Sequence, residues 1–254
     1  MALLKRPDEI DTIRFGGEIL SAALRAAAAM VAPGVTTRDI NREVEGVILA
    51  HGGQPSFKGF NGFPAASCVS VNDEVVHGIP SSRTLRDGDI VAIDVGVRYR
   101  GLYSDAALSL PVGEISPEAM ELLRVTKRAL YEGIEAARAG NWVRSISRAV
   151  QDMVEMAGFH VVRDLVGHGV GHHVHEEPQV PNFVGPFRGR RLMEGMVVAI
   201  EPMVNAGTGK VKTLRDGWTV VTADGGLSAH FEHTVAVTPH GGDILTKGWD
   251  TALP

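Results

Sequence analysis

Four carboxylates in this chain draw attention by their settings. Asp94 ends the apolar run Ile90-Val91-Ala92-Ile93, and Glu201 ends a second, Val197-Val198-Ala199-Ile200. Glu232 follows Phe231 and precedes a valine-rich run, while Asp105 lies across an expected turn from Asp94. One acid at such a place is ordinarily half-exposed, because carboxylates are seldom buried unless paired or bound to metal. Four together would repel one another without positive charge. Two divalent ions would neutralise them, and ions roughly 3.5–4 Å apart can share one hydroxide and clamp a reacting carbonyl. The histidines add donors in two phrases. His168-Gly169-Val170-Gly171-His172-His173-Val174-His175 is dense, and its glycines permit unusual backbone near a ligand. Only some of these can be ligands; His172 and His173 also read as local packing. The second phrase is Val76-His77-Gly78-Ile79-Pro80. Carboxylates with a histidine suit Mn, Fe, Co, Ni or Zn. Other chemistries are weakly represented: there is no nucleophile-elbow serine, phosphate loop or dinucleotide glycine pattern. Cys68, in an apolar setting, reads as packing rather than as a nucleophile.

These side chains must be positioned by a chain of 254 residues, 44% hydrophobic and 22% charged, enough for one well-buried core. A net charge of −5 gives no reason to expect general nucleic-acid binding, and no basic patch stands out. One cysteine excludes an intrachain disulfide and suits a reducing cytoplasm. No signal peptide is read in Met1 to Asp11, and no apolar run is long enough for a membrane span. A monomer is expected, since nothing in the sequence demands a dimer.

The patterns predict helices over Ser21–Ala32, Thr37–His51, a third opened by Ser116-Pro117 and closed by Gly140, and Arg144–Ala157. Strands are predicted over Asp89–Arg98 and Tyr103–Pro111, joined at Arg100-Gly101, and over Met196–Ile200, Trp218–Thr222 and His230–Thr238. Helices precede strands twice. Shifting the chain by 106 places Gly34, Arg38, Ile40, Arg42, Val44 and Gly52 on Gly140, Arg144, Ile146, Arg148, Val150 and Gly158, six identities over 19 positions. Average composition predicts roughly one. Shifting by 107 places Asp87–Asp94 on Glu194–Glu201, each block ending in a carboxylate. The expectation is one catalytic domain with pseudo-repeat halves at about 10–115 and 116–240 and a site between them.

The phrases Val76-His-Gly-Ile-Pro80, Asp94 with Asp105, His168-Gly-Val-Gly, His175-Glu-Glu-Pro-Gln-Val180, Ala199-Ile-Glu-Pro202 and Phe231-Glu-His-Thr234 together resemble type I methionine aminopeptidases from about Ile10 to Val237. The resemblance implies an α+β pita-bread fold: two pseudo-symmetric halves forming a curved antiparallel sheet with helices outside. It implies two divalent metal ions, Asp94 on one, His168 and Glu201 on the other, Asp105 and Glu232 bridging. A metal-bound hydroxide would attack the first peptide bond, with Glu201 moving the proton, His175 stabilising the oxyanion and His77 contacting the scissile amide or the next residue. Phe60, Phe63, Cys68, His77 and Trp218 match the methionine pocket. The implied reaction is removal of the first methionine from nascent polypeptides in the cytoplasm, with a small second residue preferred; ribosome contact is compatible with the family. Phe60 and Phe63 stand where many members carry tyrosine, and Gly96 where threonine is common. The alternatives are a proline-directed aminopeptidase of the same fold and a pita-bread binding protein that has lost catalysis.

Overall fold

Two pairs of helices cover one face of a nine-stranded sheet in the computed structural model of the protein, which describes residues 4–249. Helix α1 (Pro7–Met30) begins with a proline whose missing N–H costs nothing at that position, and Glu9 accepts from the Arg6 backbone N–H. It starts fourteen residues before the predicted Ser21. The glycines at 16 and 17 hid this part of the helix, because they weaken local propensity. They are there for packing: a Cβ on Gly17 would collide with the Leu245 carbonyl. Helix α2 (Thr37–Ala50) is capped by Thr36, α3 (Pro117–Ala136) by Ser116, and α4 (Val143–Met156) follows Trp142. α1 packs on α2, and α3 on α4.

The halves turn at glycines of left-handed conformation in matching places. Gly34 and Gly140 have φ 96° and 94°, Gly52 and Gly158 76° and 82°, and Gly88 and Gly195 91° and 86°.

The main sheet is antiparallel throughout. Its central order is Ile90–Tyr99, Leu102–Pro111, Glu232–Thr238, Val197–Ile200, Gly167–Gly169 and Glu176–Val180. Arg100 and Gly101, with φ 47° and 87°, make the predicted hairpin turn, in which positive φ matches strand twist. Side chains alternate across the sheet. Val91, Ile93, Val95, Ala106, Leu108, Val235, Val198 and Ile200 join the core shared with the helices. The other face is left for polar residues.

One predicted strand is interrupted. His230–Thr238 divides at Phe231: Ser228–His230 belongs to a small sheet with Met203–Asn205, and Glu232–Thr238 to the main sheet. The strand predicted over Met196–Ile200 is present as Val197–Ile200; beyond Glu201-Pro202 the chain continues as Met203–Asn205 in the small sheet. Thus Glu201 and Glu232 both sit where paired strands pass from one sheet to another. The strand predicted from Trp218 starts only at Val220, because Trp218 lies in a turn whose N–H groups donate to Asp216.

Candidate metal centre

Register alone places five candidate ligands on one face. Asp94 pairs with Ala107, and Ala107 with Glu232; Asp105 pairs with Gly96, two residues from Asp94. Thr234, two residues from Glu232, pairs with Ala199, and Ala199 with His168. Glu201 follows Ala199 by two. Since the strand period is two, Asp94, Asp105, Glu232, Glu201 and His168 all project away from the helices. The small Ala107 between Asp94 and Glu232 leaves the row open.

Distances agree. Asp105, His168 and Glu232 offer ligand atoms within 4.8 Å of one another. His168 Nε2 lies 3.3 Å from Glu201 Oε1. His230, which sequence reasoning missed, places Nε2 3.9 Å from both Glu201 Oε2 and Glu232 Oε2. Its signal was its position two residues before Glu232 in the predicted strand His230–Thr238, where alternation puts both on one face. Asp94 Oδ1, Asp105 Oδ1, Glu232 Oε1 and His230 Nε2 are buried without hydrogen-bond partners among the described residues. Orphaned acceptors of this kind are costly unless a cation binds them, so the donor set fits divalent ions.

Electrostatics point the same way. Burial pushes the Asp94 carboxyl up to about 7. Burial, then the charges of Glu232 and Asp94, push Asp105 well above the usual carboxylate range. Glu201 and Glu232 are raised by burial and then by neighbouring acids. Burial lowers His168 and His230 to about 3, leaving both imidazoles neutral and able to ligate. A pH dependence follows for metal-free protein. Histidines are half-charged in the unfolded chain at about pH 6.5, and the opposing slope they add fades by about pH 7.5. The raised carboxyls still hold protons in the folded state that the unfolded chain has lost. Stability should therefore fall as pH rises through and above about 7, most clearly once the histidine slope has faded, and saturating divalent ion should remove that fall. Thermal unfolding across this range, with and without metal, checks it.

The acids lie in a cavity of about 670 Å³ whose lining includes Phe60, Phe63, Cys68, His77 and Trp218. Phe63 meets Trp218 edge-on at 5.1 Å between ring centres, and His77 meets it at 6.4 Å. His175 touches both regions, 4.3 Å from His168 and 5.5 Å from Phe60 by ring centres. Burial lowers the His175 and His77 pKa values, so each neutral ring offers one donor and one acceptor. His77 has φ 59°, rare for a non-glycine residue, and Gly78 beside it passes so near Val69 and Ser70 that a Cβ would clash. Cys68 is buried opposite Asp94; burial, then Asp94 and Asp105, push its thiol up, which disfavours a thiolate nucleophile.

Gly96 faces this side as well. A Cβ there would strike Ser56 Oγ and the Phe57 ring, so the place of a threonine is filled from another segment. Gly96→Thr should lower stability by about 1–3 kcal/mol through overpacking, a drop of roughly 2–10 °C in Tm. An unchanged melting curve would mean Ser56 and Phe57 yield freely.

An antiparallel sheet bearing clustered buried carboxylates and imidazoles at the end of an apolar cavity defines a hydrolase that works through divalent cations. The chain belongs to metallopeptidase family M24, whose model matches residues 11–239. It is 55% identical to a methionine aminopeptidase of Clostridium perfringens over 97% of this chain and 99% of that protein. It is 49% identical to methionine aminopeptidase 1 of Bacillus subtilis over 97% and 100%. A methionine aminopeptidase structure from Thermotoga maritima superposes with a TM-score of 0.96 at 44% identity, covering 98% of this chain and 100% of that one. A prolidase from Pyrococcus furiosus shares the fold, with a TM-score of 0.79 at 24% identity, and this chain covers 66% of it. The fold is thus the expected α+β pita-bread arrangement.

Proposed function

We propose that this protein removes the N-terminal methionine from nascent polypeptides, favouring a small second residue. The observation that carries the reading is the convergence of five candidate ligands at one end of an aromatic-lined cavity. Asp94 would hold one divalent ion, His168 and Glu201 the other, and Asp105 and Glu232 both. When bound, such ions supply Lewis acidity to a carbonyl and to water. The chain's own groups do the rest. The acid cluster complements the ammonium of a chain end. The rings of Phe60, Phe63 and Trp218 enclose a thioether, an arrangement favourable by roughly 0.3–1.5 kcal/mol per sulfur–aromatic contact. A carboxylate oxygen of Glu201 takes a proton from the attacking water and returns it to the leaving amine. A ring N–H of His175 donates to the carbonyl oxygen as charge develops there, and His77 orients the scissile amide or the residue after it.

The catalytic unit is one domain of two related halves, about 10–115 and 116–240; the matched glycine conformations support a duplication. The proposed setting is the cytoplasm, the protein acting as a monomer. Among the described residues no helix is long and apolar enough to cross a membrane. Ribosome contact gains support from a surface that the sequence pattern does not reveal. Arg144 and Arg148 of α4 join Arg188, Arg190 and Arg191, and among the described residues none of the five has an ion-pair partner. Arg188→Glu with Arg190→Glu should abolish salt-sensitive co-sedimentation with ribosomes; unchanged sedimentation would rule this surface out as the contact.

A panel of Met-Ala-Ser, Leu-Ala-Ser and Xaa-Pro peptides tests the substrate. Rapid cleavage of the first alone is expected. Cleavage of Xaa-Pro peptides without Met-Ala-Ser would transfer the chain to the proline-directed reading.

A further inference from the structure

His175 lies in the irregular stretch between the strands Gly167–Gly169 and Glu176–Val180. No regular ladder fixes its place. The chain instead meets this loop with its N-terminal segment, far away in sequence. Lys5 Nζ forms an ion pair of 2.5 Å with Glu176 Oε2, and the two side chains are only 1% and 4% exposed. The other Glu176 oxygen accepts from the His173 N–H at 2.8 Å. Glu9 Oε1 lies 2.9 Å from His172 Nε2, while Glu9 Oε2 accepts from Arg6 N–H at 2.8 Å and so fixes the start of α1. The Lys5 backbone N–H donates to the Gly195 carbonyl at 2.7 Å.

The loop is shaped to receive the lysine. Gly171 has φ 141°, and a Cβ there would fall on Lys5 Cε. Only glycine at 171 lets the lysine stem pass to Glu176. The Gly171 carbonyl accepts from Tyr103 N–H at 2.8 Å, linking the loop to the strand that carries Asp105. A buried ion pair contributes little net stability compared with apolar packing, yet breaking one partner is costly and its geometry is specific. Its location, on the residue next to His175, suggests what that specificity serves.

We infer that Leu4–Glu9 is a strap that sets the position of His175, with Lys5 as the chief positioning residue. The inference rests on the reading of His175 as an oxyanion donor. Such an interaction is made mainly in the transition state, so loosening the strap should lower kcat and leave KM nearly unchanged.

The test is a double-mutant cycle on metal-reconstituted enzyme with Met-Ala-Ser. Lys5→Met keeps the apolar stem and removes the charge. It should lower kcat by about 10–100-fold, a loss typical of disturbed support around a functional group, with KM within about threefold and metal content unchanged. In a His175→Ala background the same change should cost less than about twofold, because the group being positioned is gone. Equal losses in both backgrounds, or full kcat in Lys5→Met, would overturn the strap. No loss in His175→Ala itself would instead overturn the role of His175, and the strap with it. If circular dichroism shows Lys5→Met unfolded, the cycle with Glu9→Ala decides. A loss of about threefold or more that vanishes without His175 supports the strap; an equal loss or none overturns it.

Discussion

Asp105→Ala should lower kcat/KM for Met-Ala-Ser by at least about 10³-fold while leaving the fold intact. Asp105 pairs with Gly96 in the sheet hairpin and offers a ligand atom within 4.8 Å of those of both His168 and Glu232. If it bridges two ions, its loss removes a shared ligand. The metals' stabilisation of transition-state charge is worth several kcal/mol, and each 1.36 kcal/mol is a factor of ten. The fold has no need of this side chain. The backbone N–H and carbonyl of Asp105 bond to Thr234 Oγ1 at 2.8 and 2.7 Å, contacts that alanine retains. Burial, with the charges of Glu232 and Asp94, disfavours the ionised carboxyl, so alanine removes a group that is costly to bury. Metal-free Asp105→Ala protein should therefore melt no lower than the metal-free parent at neutral pH. Retained activity would refute the bridging role; loss of both activity and fold would assign Asp105 to structure instead.

His175→Ala should lower kcat by about 10²–10³-fold, the usual loss for one oxyanion donor, with KM changed less than about threefold. Its ring stands 4.3 Å from that of His168 and 5.5 Å from that of Phe60, between the acids and the apolar wall, where a reacting carbonyl must lie. Burial keeps it neutral at pH 7, so the expected effect is loss of a hydrogen-bond donor rather than of a charge. Bound metal should be unchanged. A comparable rise in KM with kcat preserved would make His175 a substrate-binding group.

Asp94 and Asp105 were legible in sequence because their hairpin is local. Period-two patterning gives the strands, and Arg100-Gly101 gives the turn. Glu201 was legible through the offset that relates it to Asp94. His230 was passed over although it stands two residues before Glu232 in the predicted strand His230–Thr238, where alternation puts both on one face. The start of α1 was obscured by Gly16 and Gly17, whose presence answers to tertiary contacts with Ser104 and Leu245. The Lys5–Glu176 pair, 171 residues apart, leaves no local trace at all. The arginine surface was missed for a related reason: two separated segments build it. Gly96 stands where the resemblance implies threonine, and Ser56 and Phe57, from a separate segment, fill the space a side chain would need. In each case short-range patterns revealed what ladders and turns enforce, and long-range packing supplied the rest.

Whether these carboxylates and imidazoles hold divalent ions for hydrolysis at a methionine terminus can be measured directly. Chelator-stripped protein is titrated with Mn, Fe, Co, Ni or Zn, and Met-Ala-Ser hydrolysis and bound metal are counted in the same samples. Activity should be absent at the start, rise in step with bound ion and release free methionine. Hydrolysis by fully stripped protein, or full metal loading without release of methionine, would contradict metal-dependent cleavage at this site.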